Sequence, residues 1–354
     1  MEEIERPLGV SGLMRVKNEA QYVAASIDSV VAALDELIIC YQPCTDDTPA
    51  ILERKRLQYP NKIKLYYYEP YLYYENLTEE EFRYATRLPN DSPHMVSTYY
   101  NFTLSKATYR YAMKIDADQI YFTARLKELC DAYRTKKQYT ISIVERLVGS
   151  CLTIPKIKNN LSSKERLKSN LKAALLKRFV TTPYLDKYHK QYVLKRIANE
   201  KLMVWLCGIN LFREGGSYYI PIGNPSIFIC NGSQDHCIFH ISESTFYYPI
   251  RSFKSLYRGN CIIENFCYER KEAELYYGLL WYHTRWCKEQ NRSFIANSEG
   301  IEYTQLKQFG YKQLKRNKWF VVNRWTAHLQ LFYAFFLNQD KSYPNFEENN
   351  TKLK

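Results

Sequence analysis

The chain has 354 residues, 46% of them hydrophobic, and a net charge of +13. That supplies a sizeable core, for one large α/β domain with additions or for two domains. The ten cysteines include no Cys-x-x-Cys pair, against a zinc ribbon or thioredoxin-like dithiol, and no apolar run is long enough to span a bilayer.

The acidic opening Met1-Glu2-Glu3-Ile4-Glu5 is the reverse of a secretory signal, so free thiols in a reducing cytoplasm are expected. Residues 8–16 read as a first strand, and Lys17-Asn18-Glu19 turns it into a helix from about Gln21 to Ala33. Leu37 to Tyr41 is short and apolar, as a buried parallel strand should be. Gln42 to Thr48 is a turn into a helix that reaches about Gln58, capped by Asp47 or Thr48. Lys62 to Tyr68 is a third strand, and strands alternating with helices imply a parallel sheet. An insertion from Glu69 to about His94 is rich in Tyr and acids, and Thr78 to Glu81 has the form of a capping box. A helix over about 95–107 follows.

Tyr111 to Tyr121 reads as a buried strand ending in two carboxylates, Asp116 and Asp118. Side chains alternate along a strand, so both can point one way and offer hard oxygens to Mg²⁺ or Mn²⁺. Aspartates also cluster in turns for local hydrogen bonding, so the tripeptide alone decides nothing. Gln138 to Val144 reads as a further strand.

Positive charge is uneven. Residues 155–201 hold thirteen Lys/Arg against three Asp/Glu, and residues 303–339 add six with no acid. Leu167, Leu171, Ala174 and Leu175 recur at helical spacing among Lys164, Arg166, Lys168, Lys172 and Lys177. This describes either a basic amphipathic helix on an anionic membrane surface or a solvated surface helix. Strands are expected over 204–212 and 226–230, and helix from about Glu272. The aromatic stretch 319–337, interrupted by Arg324 and His328, fits a buried or interfacial helix.

Three pieces together resemble family 2-type glycosyltransferases of the GT-A fold. Leu13 to Glu19 is similar to their first strand and loop, and Gln42 to Thr48 to their Asp-rich turn after the second strand. Asn101 through Ala107, then Tyr111 to Ile120, is similar to their Asn-bearing helix and Asp-x-Asp strand. The resemblance covers roughly residues 8–125. It implies a GT-A (Rossmann-like), mostly parallel central sheet flanked by helices, here with a basic helical insertion and a helical C-terminal region. The divisions expected are 1–150 for the nucleotide-sugar half, 151–200 for the basic insertion, 201–260 for the acceptor half, and 261–354 for the C-terminal region.

The resemblance also implies a nucleotide-sugar donor, usually UDP-linked, and a divalent cation, Mn²⁺ or Mg²⁺, held by Asp116 and Asp118 with Ala117 between them. Arg15, Val16, Glu19, Gln42, Asn101 and Lys114 fall in the donor-binding set. Gln42 stands where many members place a base-recognising Asp, and Tyr99 and Tyr100 stand where a basic residue usually precedes the helix Asn. In the second half, Asp235 follows a glycine turn and precedes an apolar run, where a strand would meet a helix. It is the candidate general base, with a helix cap as its other reading and Glu243 in reserve. His236 and His240 lie one helical turn apart, and His240 is a candidate additional metal ligand.

The resulting expectation is a metal-dependent, inverting transferase acting on a glycan or lipid-linked acceptor. It would build a surface polysaccharide or lipooligosaccharide, in the cytoplasm and peripheral on the inner membrane, with no nucleic-acid partner. The alternatives are a nucleotidyltransferase, which lacks its Gly-rich basic loop in residues 9–19, and a polybasic membrane- or nucleic-acid-binding protein with a degenerate transferase domain.

Overall fold

A computed structural model describes residues 6–152, 183–221, 230–231, 236–255, 259–268, 275–296 and 298–303. In chain order its main elements are β1 (Val10–Val16), α1 (Val23–Val30), β2 (Glu36–Tyr41), α2 (Thr48–Gln58), β3 (Ile63–Tyr67), α3 (Glu79–Ala85), α4 (Val96–Ser105) and β4 (Tyr111–Asp116). Next come β5 (Gln119–Tyr121), α5 (Thr123–Arg134), α6 (Ile143–Leu152), α7 (Pro183–Glu200), β6 (Val204–Glu214), β7 (Ser217–Pro221), β8 (Cys230–Asn231) and β9 (Cys237–His240). The described part closes with β10 (Phe246–Ser255), β11 (Gly259–Cys267), β12 (Leu275–Trp286), α8 (Arg292–Ile295) and β13 (Gly300–Glu302).

Two compact units form, one from Met1–Ala117 with Ile238–Lys271 and the other from Asp118–Cys237 with Glu272–Lys354. The chain thus divides differently from the boundaries at 150, 200 and 260 that the sequence suggests.

In the first unit β1, β2, β3 and β4 are parallel, in the order β4-β1-β2-β3. Val10 to Met14 of β1, Glu36 to Cys40 of β2 and Tyr111 to Ile115 of β4 are buried, the mark of strands covered on both faces. Helix α4 packs on β1 and β2, and α2 on β3. Gly12 lets β1 sit close to its neighbours, since a Cβ there would lie within 3 Å of Leu34, Ile115 and Leu37. Residues 238–240 add an antiparallel strand beside the start of β4, with Tyr111 opposite His240. Strands β10 and β11 form a separate antiparallel hairpin. It is tied to α4 by Asn101, whose amide donates to the Tyr247 carbonyl (2.8 Å) and accepts from the Tyr247 amide (2.7 Å).

The Tyr-rich insertion is ordered by local chemistry. Thr78 and Glu81 make the capping box that the sequence suggests, opening α3. Leu77, Ala85, Met95 and Ile262 bury together, with Tyr73, Phe82 and Leu88 against them.

In the second unit β12 lies between β6, parallel to it, and β5, antiparallel to it. β7 and β8 pair with β6, and β13 with β7, all antiparallel. Gly208 makes room for the Trp281 indole, which a Cβ would meet at 2.1 Å. Helix α7 packs against α5, α6 and β12.

Three local expectations are overturned. The strand expected over 138–144 is not formed, and the chain enters α6 there. Ser142 and Glu145 make reciprocal side-chain bonds to each other's backbone amides, a helix-starting box that outweighs the β-branched run around it. The helix expected from about 272 is replaced by β12, whose Tyr, Trp and Thr residues pack well on a pleated surface. The apolar run after Asp235 is the strand β9, not a helix. Residues 164–177, residues 319–337 and Asp235 itself lie outside the described residues.

Candidate functional site

The strand order reverses direction at β1, with β2 on one side and β4 on the other. In open α/β sheets ligands bind beyond the carboxyl ends of the strands at such a point. Arg15 and Asp116 stand opposite each other in the β1–β4 register at that end. The loops there are stitched together. Asn18 adopts a left-handed conformation (φ 54°), and its Oδ1 accepts from the Thr45 amide at 2.8 Å. The Glu19 amide donates to Thr48 Oγ1 at 2.7 Å, and the Gln42 amide to the Val16 carbonyl at 3.0 Å. The Gln42 side chain is buried and donates to the Pro70 carbonyl at 3.1 Å. These contacts fix the ends of β1 and β2 before any ligand arrives.

The Arg15 guanidinium lies 3.7 Å from the Tyr100 ring centroid. Lys114 Nζ lies 5.5 Å from the same centroid and 3.6 Å from Glu264 Oε1 of β11. Tyr100 thus stands where the resemblance leads one to expect a basic residue, yet its ring gathers two cations. Both terminal nitrogens of Arg15 are buried without a hydrogen-bond partner among the described residues. Burial opposes the charge on Arg15, but Tyr100, Tyr247, Asp116 and Glu264 outweigh it and hold the pKa above its ordinary value. Burial, with Glu264 nearby, pushes the Tyr100 hydroxyl well above its usual range, so it stays neutral. The first unit therefore contains a charged guanidinium whose terminal donors are unused among the described residues.

Asp118 opens the second unit and is nearly buried. Its Oδ2 accepts from Lys288 Nζ at 2.7 Å, and its Oδ1 lies 3.5 Å from His283 Nε2. Thr284 secures the backbone here, donating from its amide and its Oγ1 to the Asp118 carbonyl, each at 2.9 Å. Burial would raise the Asp118 carboxyl, but Lys288 and His283 hold it well below the usual carboxylate range. His283 Nδ1 lies 2.6 Å from Asn210 Oδ1, an acceptor, so that nitrogen carries hydrogen. Nε2 is left facing the carboxylate.

One carboxylate oxygen and one imidazole nitrogen converge here beside the Lys288 ammonium, with the ring oriented from behind by Asn210. Among the described residues no group of three or more His, Cys, Asp or Glu is arranged to hold a metal. Gln119, next in the chain, is buried, with Oε1 accepting from the Tyr121 hydroxyl at 2.6 Å and Nε2 lying 2.7 Å from His236 Nε2.

The remaining expected residues fall as follows. Val16 and Ala117 are buried in the first unit, and Asn101 is engaged with the Tyr247 backbone. His240 needs correction as a metal ligand. It faces Tyr111 at the start of β4, about 17 Å along the strand from Asp116 at some 3.3 Å per residue. The extended backbone of β9 also removes the helical-turn relation to His236. Glu243, the reserve base, is exposed in the turn after β9. Lys114's partner Glu264 and Asp118's partners His283 and Lys288 are absent from the sequence reading, because each lies far along the chain with no local motif to mark it.

Residues 2–148 match the family model described as Beta-1,4-N-acetylgalactosaminyltransferase (CgtA). Among solved structures, the chain is similar to glucosyl-3-phosphoglycerate synthase from Mycobacterium tuberculosis in complex with Mn²⁺, UDP and phosphoglyceric acid. The identity is 18%, over 32% of this chain and 34% of that one, with a TM-score of 0.19. It is also similar to S. aureus TarS 1-349 in complex with UDP, at 19% identity over 35% of this chain and 31% of that one, with a TM-score of 0.21. The chain spans about a third of the length of these solved structures. No curated protein matches it. The family match supports a glycosyltransferase.

Proposed function

We propose that the chain transfers a sugar from a nucleotide-sugar donor, UDP-linked, to a glycan or lipid-linked acceptor, with Mn²⁺ or Mg²⁺ as cofactor. The observation that carries this reading is Arg15, a buried guanidinium with unused donors at the carboxyl end of β1. A site with spare positive charge, closed off from water, favours an anion, and the diphosphate of a nucleotide sugar is the anion that the resemblance to GT-A transferases implies. Lys114, already balanced by Glu264, holds the Tyr100 face in place beneath Arg15.

Asp116-Ala117-Asp118 is the sequence motif assigned to the cation, and Asp118 is kept ionised by its neighbours. His283 Nε2 is a further candidate donor. A bound divalent cation supplies neutralisation of the departing diphosphate. An imidazole donor beside the Asp118 carboxylate would favour Mn²⁺ over Mg²⁺, which prefers an all-oxygen shell.

In an inverting transfer Asp235 would remove the acceptor proton. The excess basic charge of residues 155–201 supports reversible attachment to an anionic membrane surface near a lipid-linked acceptor. Among the described residues no helix is long and apolar enough to cross a membrane. A nucleotidyltransferase remains the second reading, since it too uses paired aspartates.

The test is nucleotide release from a panel of UDP-, GDP- and CMP-sugars, with and without Mn²⁺. Sugar-dependent release of UDP that needs the cation is expected. Pyrophosphate release from nucleoside triphosphates instead would establish the second reading. Asp235→Asn should lower transfer ~10²–10⁴-fold while leaving donor binding intact.

A further inference from the structure

We propose that the insertion 69–94 carries a saccharide-binding platform, built on Tyr71, Tyr73 and Tyr84, for the glycan part of the acceptor. Its service to an acceptor rests on the function proposed above.

Tyr73 lies between the other two rings, with centroids 5.2 Å from Tyr71 and 5.4 Å from Tyr84. Tyr71 is 53% exposed and Tyr84 54%, so neither ring is consumed by the core beneath. The apolar C–H face of a pyranose sits well on the electron-rich face of such a ring, while the phenol hydroxyl stays available to sugar hydroxyls. Leu or Phe would offer only the first of these.

Polar groups accompany the rings. Lys17 Nζ lies 5.8 Å from the Tyr71 centroid. His94 packs edge-on to Tyr73, and its Nδ1 lies 2.8 Å from the Tyr71 carbonyl. A carbonyl only accepts, so Nδ1 carries the hydrogen and Nε2 is left as an acceptor for a hydroxyl.

The platform is held rigidly, so little ordering is lost on binding. The Thr78–Glu81 capping box fixes α3. Leu77 bridges to Asn260, and Arg251 Nη1 donates to the Thr86 carbonyl at 2.9 Å. Two contacts join it to the loops of the candidate donor site in the same unit: Gln42 to the Pro70 carbonyl, and Lys17 over Tyr71. A saccharide on these rings therefore lies beside the loops assigned to the donor. A protein partner is the weaker fit, because a stable protein interface needs about 800 Å² on each side. Two half-exposed rings and a third between them fall far short of that.

The experiment is saturation-transfer NMR on the full chain, with lactose, cellobiose and maltose as probes and irradiation of the aromatic protons. Transfer to the sugar C–H protons is expected with the wild type. It should fall roughly tenfold in the Tyr71→Ala/Tyr84→Ala double variant, which removes both exposed ring faces. The Tyr71→Phe/Tyr84→Phe variant, with rings and fold retained, should keep most of the transfer. Hydrolysis of a UDP-sugar by the wild type in the absence of acceptor is measured alongside.

No transfer in the wild type, or wild-type transfer in a folded Ala variant, overturns the platform. If nucleotide-sugar hydrolysis is absent throughout while saturation transfer behaves as expected, the enzymatic reading fails and the platform stands.

Discussion

Arg15 and Asp118 are both buried charges, and the structure treats them in opposite ways. Arg15, in the first unit, rests on a tyrosine face with both terminal nitrogens unpartnered. Asp118, in the second, is saturated by Lys288 and faced by His283. A buried charge without hydrogen bonds is costly and is tolerated where a ligand completes it. A buried charge that is paired holds its surroundings together, and its removal strands the partner. The first arrangement is made for receiving, the second for holding a carboxylate ionised and in position.

The largest expected effect follows from the second arrangement. Asp118→Ala should abolish transfer and cation-dependent UDP binding, and it should also destabilise the fold by ~3–5 kcal/mol, because Lys288 is left buried without its anion. Denaturant unfolding measures the second part. Adding Lys288→Met should restore much of the lost stability without restoring transfer. Equal stability of the wild type and Asp118→Ala would show that the pair holds nothing.

The same pair sets a pH dependence. The folded carboxyl lies well below the unfolded value of about 3.9. Its contribution is therefore fully present above about pH 4 and is lost as pH falls toward the folded pKa. Wild-type stability should decline on acidification through that range, and the Asp118→Asn/Lys288→Met variant should decline less.

Arg15→Met sharpens the contrast because its two readouts should move in opposite directions. Hydrogen bonds to a charged group are worth ~1.5–3 kcal/mol, so UDP affinity measured by calorimetry should fall roughly ten- to a hundredfold. The stability of the free protein should stay level or rise, since an unpartnered buried cation has been removed. A destabilised variant that binds UDP as well as the wild type would make Arg15 a structural group.

These features differ in how far local residue patterns reveal them. The four parallel strands were legible because apolar runs of five or six residues between turn signals leave few other options. The Asp-x-Asp segment and the Arg15 loop were legible as motifs. The Ser142–Glu145 box was equally local, but the neighbouring Ile141, Ile143 and Val144 pointed to a strand, and two side-chain bonds to backbone amides decided the matter. What completes each charged cluster was not legible. Glu264 reaches Lys114 across 150 residues of chain, and Lys288 reaches Asp118 across 170. Such pairings are made by tertiary packing and leave no periodicity behind.

Asn101 brings the comparison down to its smallest effect. The resemblance puts this residue among the donor-binding set, whereas its amide is spent at both ends on the backbone of Tyr247. It would then belong with Asp118, as a group that holds, and act on Arg15 only through the hairpin that carries Tyr247 and Glu264. Two neutral hydrogen bonds of about 1 kcal/mol each predict ~2 kcal/mol of lost stability in Asn101→Ala. Asn101→Asp should cost a similar amount, because a carboxylate can accept from the Tyr247 amide but cannot donate to its carbonyl. If Asn101 only holds the hairpin, UDP affinity should fall much less than in Arg15→Met, and the residual loss should vanish at low temperature where the hairpin stays docked. A full hundredfold loss in a variant that melts with the wild type would move Asn101 to the receiving side and leave the hairpin held by other contacts.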